Sequence, residues 1–212
     1  MSASASLTAP VRKAWAESLR KRVEDRRRLR LVEPQMLPPG VTLNPKQQEL
    51  FDAVLDSDFD SILYGGAYKG GKSFAFRLLA TYLARLRPNT NILFLRRTFP
   101  QLRDNHIRLW LREMPEGWAH WNATDKTWEF PNRSVIVMGH CAHEGDVSNY
   151  LGSDWDYIVT DEVTTFTEFM ADAISSRLLT TKYLTPKWIT GSNPGGIGHG
   201  WVKARWITRD AA

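Results

Sequence analysis

The stretch that decides the fold reads SILYGGAYKGGKS and runs from Ser61 to Ser73. A short apolar run breaks into glycines and ends in Lys-Ser, and a helical pattern of apolar residues follows from Phe74. Gly66 to Ser73 fits G-x-x-x-x-G-K-[ST], the pattern of a phosphate-binding loop between a strand and a helix. A glycine-rich turn ahead of a helix is the alternative. Because a strand pattern precedes the glycines and a helix pattern follows them, the sequence favours the phosphate-binding loop.

Each part of this loop has a predicted task in holding ATP and Mg²⁺. Glycines let successive backbone N–H groups turn toward an oxyanion, and the N-terminus of the following helix adds partial positive charge. Lys72 is predicted to reach the β- and γ-phosphates, and the hydroxyl of Ser73 is predicted to ligate Mg²⁺. The predicted nucleotide-binding residues of the loop are Gly66, Ala67, Tyr68, Lys69, Gly70, Gly71, Lys72 and Ser73.

Composition and charge divide the 212 residues into three parts. Residues 1–33 form a basic N-terminal arm, because residues 11–33 contain nine basic and four acidic side chains and carry the whole net charge of +5. This arm is either a solvated helix or a segment that binds nucleic acid or a partner protein. Residues 34–43 form a proline-containing linker, and residues 44–212 form the main domain.

Cysteine content and hydropathy bear on the compartment in which the chain works. Cys141 is the only cysteine, so no intrachain disulfide can form and a reducing compartment is expected. No apolar run approaches the roughly 18 residues of a membrane span, and the N-terminus lacks the apolar core of a signal peptide. We therefore expect no membrane association.

The order of strand and helix patterns predicts an α/β fold with a mostly parallel sheet and helices on both faces. Two apolar segments around a turn at Pro131–Ser134 predict a β-hairpin. Besides the strand ahead of the glycines, strands are predicted at residues 91–95, 157–160 and 187–190. Helices are predicted at residues 72–86, 100–111 and 166–179, and another begins after Asn44.

The start of that first helix offers two interpretations of a glutamine pair. Asn44 suits the N-cap and Gln47 stands where a capping box places Glu or Gln. Gln47 or Gln48 is alternatively suited to read an adenine edge, because a side-chain amide both donates and accepts hydrogen bonds. Both interpretations stay open, since capping alone explains Gln47.

The strand pattern at Tyr157–Thr160 ends in Asp161 and Glu162, as in a Walker B motif. An Asp at the carboxyl end of a parallel strand lies at the edge of the sheet where ligands bind. Asp161 is predicted to hold Mg²⁺, through water because Mg²⁺ keeps much of its hydration shell. Glu162 is predicted to polarise the attacking water. Two carboxylates with a structural task are the alternative.

A last strand pattern breaks into Gly191-Ser192-Asn193-Pro194, followed by two more glycines. Many motor ATPases keep a γ-phosphate sensor after such a strand. Ser192 or Asn193 is predicted to hydrogen-bond the phosphate or the attacking water, and the glycines to transmit the change. A glycine-rich turn that only ends the strand is the alternative.

Together, these residues resemble the ATPase domain of the large terminase subunit of tailed double-stranded DNA bacteriophages. The resemblance covers residues 44–206, and its most family-specific part is Gly191–Lys203. The other matching segments are Pro45–Gln47, Gly65–Ser73, Leu95–Arg97, Leu102–Asp104, Pro131–Ser134, Leu151–Gly152, Asp161–Glu162 and Ser176–Leu178. The resemblance implies a P-loop ATPase of the additional-strand, catalytic-glutamate type with a β-hairpin insertion.

Two features depart from the family pattern. Tyr68 and Lys69 stand where the family has small residues, which alters the expected phosphate contacts. Large terminase subunits also continue into a ribonuclease-H-like nuclease domain, whereas this sequence ends at Ala212. We therefore assign no nuclease activity to these residues.

The resemblance implies ATP hydrolysis that drives viral double-stranded DNA into a procapsid. The implied partners are that DNA, the portal protein of the procapsid and a small terminase subunit. The chain is expected to form a homo-oligomeric ring when assembled, to be a monomer in isolation and to work in the host cytoplasm. The alternatives are a helicase-like nucleic-acid ATPase and a non-hydrolysing nucleotide-binding module. Glu162 discriminates against the module, because binding alone does not require it.

An arginine finger is a further expectation, because phosphoryl transfer in P-loop enzymes commonly uses one. Between Ser134 and Ser176 the sequence contains no Lys or Arg, so the surroundings of Asp161 in the sequence lack a cation. The candidates are Arg96, Arg97, Arg103, Arg133 and Arg177. In the resembling family the finger can come from a neighbouring subunit, which implies slow ATP hydrolysis by an isolated chain.

Overall fold

A seven-stranded sheet lies at the centre of the protein. The computed structural model describes residues 33–56, 58–65, 71–180 and 185–208. Residues 1–32 of the predicted basic arm and residues 66–70 of the predicted phosphate-binding loop lie outside the described residues. The strands are β1 (Ser61–Gly65), β2 (Asn91–Arg96), β3 (His120–Asn122), β4 (Thr127–Glu129), β5 (Val135–His140), β6 (Tyr157–Thr160) and β7 (Lys187–Ser192).

The strand order is β1-β7-β6-β2-β5-β4-β3, and the strands from β1 to β5 in this order are parallel. β7 lies between β1, which leads into the predicted phosphate-binding loop, and β6, which leads to Asp161. Thr190 of β7 is aligned with Leu63 of β1 on one side and with Thr160 of β6 on the other. This interposed strand confirms the predicted additional-strand class of α/β fold.

Helices cover both faces of the sheet. Side chains along each strand alternate between the faces, and both faces carry apolar side chains that must be buried. On β2, Ile92 and Phe94 belong to one core cluster, whereas Leu93 and Leu95 belong to the other. The first face packs against α1 (Pro45–Asp56), α2 (Lys72–Leu86), α3 (Phe99–Leu102) and α4 (Arg108–Glu113), with a π-helical turn (Arg103–Ile107) between α3 and α4. The second face packs against α5 (Glu168–Ser175) and α6 (His199–Trp206).

The predicted β-hairpin is present, and it continues the main sheet. β4 and β5 pair antiparallel, with Trp128 opposite Ile136. β5 also pairs in parallel with β2, from Val135 opposite Asn91 to His140 opposite Arg96. A sequence pattern identifies two strands and their turn but not the partner on the far side, so this second pairing was not predicted.

Helix bounds differ from the prediction at residues 166–179. α5 begins at Glu168, where the Thr167 side chain accepts a hydrogen bond from Met170 N at 3.3 Å. It ends at Ser175, because the chain then turns back to form a parallel bridge between Trp155 and Leu178. The short elements β3 and α6 were not predicted.

Helix composition and the single thiol bear on the expectations about membranes and redox state. In the described ranges no helix has both the length and the apolar composition needed to cross a membrane.

The thiol of Cys141 is free and buried, and burial raises its pKa to about 11. The thiol is therefore protonated at neutral pH.

Candidate nucleotide-binding site

Predicted site residues meet at the carboxyl ends of the parallel strands, beside the first turn of α2. Parallel strands bring their carboxyl ends to one edge, which is where α/β proteins bind ligands. A cavity of about 560 Å³ lies at this edge. It is lined by Gly71, Lys72, Ser73, Phe74, Arg77, Arg96, Gln101, Asn105, Leu109, Asp161, Glu162 and Asn193.

The described end of the predicted phosphate-binding loop leads directly into α2. Gly71 has a φ of 74°, in the left-handed region that glycine adopts without strain, and α2 begins at Lys72. Lys72 and Ser73 therefore lie in the first helical turn, where unpaired backbone N–H groups and the helix dipole favour an anion. The earlier loop residues Gly66, Ala67, Tyr68, Lys69 and Gly70 lie outside the described residues, so their phosphate contacts stay predictions.

Of the glutamine pair, Gln47 is the one that lies beside this loop. The capping box forms, since Asn44 N donates to Gln47 Oε1 at 3.0 Å and Gln47 N donates to Asn44 Oδ1 at 2.9 Å. Gln47 is buried, and its Nε2 atom lies 3.6 Å from the position that a Cβ atom on Gly71 would occupy. Gln48 instead donates from Nε2 to Asp52 Oδ1 at 2.8 Å. Capping and a place next to the loop are thus combined in Gln47.

The carboxylate of Asp161 is held by groups from different parts of the fold. Its Oδ2 atom accepts a hydrogen bond from Ser73 Oγ at 2.8 Å and lies 2.9 Å from His106 Nε2. Its Oδ1 atom accepts from the backbone N of Glu162 at 3.0 Å. Burial alone would raise the pKa of Asp161, but His106, Arg96 and Ser73 lower it to about 2. Asp161 is therefore ionised at neutral pH.

His106 is a residue of this site that the sequence did not indicate. It lies on the π-helical turn, is fully buried, and its ring makes an edge-to-face contact with Phe94 at a centroid distance of 4.7 Å. Burial lowers the pKa of His106, so the imidazole is neutral at pH 7. Nδ1 has no hydrogen-bonding partner among the described residues, which places the single N–H on Nε2, facing Asp161.

Arg96 bridges the two adjacent carboxylates at the end of β6. Glu162 has a φ of 55°, a left-handed conformation that is uncommon outside glycine. Its Oε2 atom lies 2.7 Å from Arg96 Nη1, and Arg96 Nε lies 3.8 Å from Asp161 Oδ2. Arg96 is buried at the end of β2. One guanidinium therefore offsets the repulsion between two neighbouring negative charges.

The predicted sensor residues connect the first turn of α2 with the turn after Glu162. Lys72 Nζ donates to Asn193 Oδ1 at 2.8 Å. Ser192 Oγ donates to the Asn193 carbonyl at 2.8 Å, and Thr164 Oγ1 donates to the same carbonyl at 3.2 Å. Asn193 therefore connects Lys72 with Thr164, so a change in what Lys72 binds can reach Thr164 through this one residue.

Two glycines allow this close approach. A Cβ atom on Gly191 would lie 2.3 Å from Cε2 of Phe76 and 3.2 Å from Oδ1 of Asp161, so β7 can pass here only without a side chain. Gly196 has a φ of 84°, and a Cβ atom there would lie 2.5 Å from the carbonyl oxygen of Thr164. The glycines after β7 thus keep the loop against the carboxyl edge of the sheet.

Among the predicted arginine-finger candidates, the three at and after the end of β2 differ in position. Arg96 lines the cavity. Arg97 Nη1 donates to the carbonyl of Cys141 at 3.0 Å, on the side of β5. Arg103 is exposed, and its Nε lies 2.9 Å from Asp104 Oδ1.

The other two candidates lie at the opposite edge of the sheet. Arg133 is in the turn that precedes β5 and has a φ of 67°. The carbonyl of Arg177 accepts from Trp155 N at 2.9 Å, just before β6. Both therefore lie near the amino ends of parallel strands, away from this chain's own cavity.

The oxygen donors at this edge fit Mg²⁺. Mg²⁺ prefers carboxylate and hydroxyl oxygens and keeps several waters, so it needs few protein ligands. Ser73 Oγ and Asp161 Oδ2 are 2.8 Å apart, both residues line the cavity, and Asp161 is ionised. Ser73 and Asp161 are thus the residues that would hold the ion beside a bound nucleotide.

Sheet order and site define an α/β domain of the P-loop class with an additional strand. No protein-family model and no curated protein sequence matches the chain. Several solved structures do match, and they include large terminases of three kinds of bacteriophage.

The large terminase of bacteriophage HK97 aligns with 90% of this chain at 18% identity and a TM-score of 0.60. The large terminase of a thermophilic bacteriophage in complex with ATP-γ-S aligns with 78% at 18% identity and a TM-score of 0.63. A mutant ATPase domain of the Thermus phage P74-26 large terminase aligns with 77% at 16% identity and a TM-score of 0.53, and 69% of that chain is covered. The fold is therefore that of large terminase ATPase domains. This chain spans 42% of the HK97 protein and 41% of the protein bound to ATP-γ-S.

Proposed function

We propose that this chain is an ATPase that powers the translocation of viral double-stranded DNA into a procapsid. The observation that carries the proposal is the hydrogen bond of 2.8 Å between Ser73 Oγ and Asp161 Oδ2, with Glu162 next in the chain. It joins the end of the phosphate-binding pattern to the end of β6, as a nucleotide site with Mg²⁺ requires. The fold shared with large terminases, one of them solved in complex with ATP-γ-S and also with ADP, supports the same function.

In this proposal, residues Gly66–Ser73 bind the phosphates of ATP. Lys72 contacts the β- and γ-phosphates, and Gln47 reads the adenine edge from its position beside Gly71. Ser73 and Asp161 hold Mg²⁺, which supplies positive charge that offsets the charge on the phosphate oxygens.

Glu162 is the proposed general base, which orients the attacking water and accepts its proton. Its Oε2 atom is 2.7 Å from Arg96 Nη1. Asn193 contacts Lys72, and Ser192 contacts the Asn193 carbonyl. Loss of the γ-phosphate changes what Lys72 binds, so Asn193 and Ser192 are the proposed route from hydrolysis to movement.

The proposed partners follow from what a large terminase does in a phage. They are double-stranded DNA, the portal protein of the procapsid and a small terminase subunit, and the proposed place of action is the host cytoplasm. The chain is proposed to work as a homo-oligomeric ring. Arg133 and Arg177 lie near the amino ends of parallel strands, away from their own cavity, so either of them would act as a finger only toward a neighbouring subunit.

Two substitutions test the proposed chemistry. Lys72→Ala is expected to abolish nucleotide binding and hydrolysis together, because the phosphate charge loses its partner. Glu162→Gln is expected to keep ATP binding while hydrolysis falls by roughly 10²–10⁴-fold. Nucleotide titration and phosphate-release assays measure both quantities.

Lys46→Ala is the matched control, since it also removes one lysine charge but from an exposed pair with Glu49. It is expected to behave like the wild type in both assays. Wild-type turnover by Glu162→Gln would contradict the proposed role of Glu162.

A further inference from the structure

The helical segment beside the cavity contains a wide turn at the position of His106. Arg108 N donates to the carbonyl of Arg103, a spacing of five residues, so Arg103–Ile107 is a π-helical turn. Such turns insert one residue into a helix and often mark functional sites. Within this turn, Asn105 lines the cavity, whereas the next residue, His106, faces inward and is fully buried. The turn therefore places an imidazole behind the cavity wall.

Among the described residues, the carboxylate of Asp161 is the one hydrogen-bonding partner of the buried imidazole. Its Nε2 atom lies 2.9 Å from Asp161 Oδ2, the same oxygen that accepts from Ser73 Oγ. The ring also packs against Phe94 at a centroid distance of 4.7 Å. Because a buried polar group is stable only with a partner, the ring and the carboxylate fix each other's orientation.

A second clamp ties this segment to the first turn of α2. Arg77 Nη1 donates to the carbonyls of Ser73 at 3.2 Å and Asn105 at 3.0 Å. The other two nitrogens of the guanidinium contact Glu113, each at 2.6 Å. One side chain therefore holds the backbone of Ser73 and the backbone next to His106. This clamp keeps the imidazole of His106 at a set distance from the hydroxyl of Ser73.

We infer that His106 is a positioning residue for the magnesium ion of the nucleotide site. It orients the Asp161 carboxylate from behind, so that the carboxylate and the Ser73 hydroxyl present their oxygens to the ion together. Groups that orient metal ligands in this way commonly contribute a factor of roughly 10–100 to metal affinity. The inference rests on the proposed function, because it requires that ATP bind here with Mg²⁺.

Two amide substitutions at position 106 test whether the N–H group must lie as far from the backbone as it does in histidine. His106→Gln keeps an N–H group at the end of a long side chain, whereas His106→Asn carries the same group on a side chain shorter by one bond. Trp110→Phe is the control, because it removes another buried N–H donor of this segment, the 3.0 Å bond to Thr81 Oγ1, without touching Asp161. Thermal melting identifies the variants that remain folded.

The readout is the affinity for a non-hydrolysable ATP analogue, measured in EDTA and in saturating Mg²⁺. His106→Asn is expected to lower the stimulation by Mg²⁺ by about 10-fold while the affinity in EDTA stays unchanged. His106→Gln is expected to restore most of the stimulation, and Trp110→Phe is expected to match the wild type. Equal stimulation in all variants, or an equal loss of affinity in EDTA and Mg²⁺, would overturn the inference.

A measurement on the unmodified chain covers the case in which His106→Asn does not fold. The ¹⁵N-NMR signal of the His106 N–H group, identified by its absence from His106→Gln, is expected to shift when Mg²⁺ is added to the nucleotide complex. A signal that responds to the nucleotide but not to Mg²⁺ would refute the positioning role alone. A wild-type chain that binds no nucleotide at all would refute the proposed function as well.

Discussion

Asp161 shows how a single carboxylate can be both buried and ionised. Burial opposes its charge, but the donors around it include a hydroxyl, an imidazole N–H and the backbone N of Glu162. Arg96 adds a positive charge within 3.8 Å. Hydrogen bonds to the charged form of a carboxylate favour that form, which explains why the pKa is about 2 despite burial. The site is thus charged before any ligand arrives.

The lowered pKa of Asp161 makes a prediction about acid stability. A carboxylate whose folded pKa lies below its unfolded value of 3.8 stabilises the fold above about pH 4 and loses that contribution as the pH falls toward 2. The contribution is about 2 kcal/mol. Asp161→Asn lacks it, so the difference in unfolding free energy between wild type and variant should shrink between pH 5 and pH 2. Urea unfolding at several pH values measures this difference, and a difference independent of pH would contradict the prediction.

At the scale of elements, β7 is the strand that assembles the site. It separates β1 from β6 and carries Asn193 to Lys72 just beyond its carboxyl end. The close approach of β7 to α2 depends on Gly191, since a Cβ atom there would lie 2.3 Å from Phe76. The packing between α2 and the sheet therefore depends on the absence of a side chain at Gly191.

Gly191→Ala is expected to lower the unfolding free energy by roughly 1–3 kcal/mol, because the added methyl group overpacks the contact with Phe76. Gly200→Ala is the matched control, since a Cβ atom on Gly200 meets nothing within 4 Å and the residue lies in α6. The control is expected to leave stability unchanged or to raise it by about 0.5–1 kcal/mol. Equal effects of the two substitutions in denaturant unfolding would contradict the packing argument.

The central parallel strands could be predicted from the sequence, because their signal lies within each strand and its flanking residues. Residues 91–95, 157–160 and 187–190 are short apolar runs followed by polar or glycine residues, and these are strands buried on both faces in the structure. The predicted hairpin also formed. The pairing of β5 with β2 was not predicted, because strand order depends on contacts between segments distant in the sequence.

The site could be predicted only where a spacing pattern carries chemistry. Lys72, Ser73, Asp161 and Asn193 belong to such patterns, and the structure brings them together. His106 belongs to none, because one histidine in a helical segment has no partner that the sequence reveals. Its contact with Asp161 spans 55 positions and depends on the π-helical turn. The structural task of Arg96, between two carboxylates, was likewise not visible in the sequence.

For the whole molecule, the two edges of the sheet have different relations to the cavity. The carboxyl edge contains the candidate nucleotide site, and Arg96 is engaged there by Asp161 and Glu162. Arg133 and Arg177 lie near the amino edge. In the proposed motor, a further cation for the γ-phosphate is expected from a neighbouring chain, so full activity is expected in the assembled ring.

The most direct test of this account is the rate of phosphate release per chain across a range of protein concentrations, with and without double-stranded DNA and portal protein. We predict slow hydrolysis at concentrations where the chain is monomeric, and a rise as chains assemble. A finger supplied by a neighbour commonly contributes roughly 10³–10⁵ in rate, which sets the scale of the rise. Glu162→Gln should abolish the rise without preventing assembly. A fast rate that stays constant down to monomeric concentrations and does not respond to DNA would contradict the proposed motor.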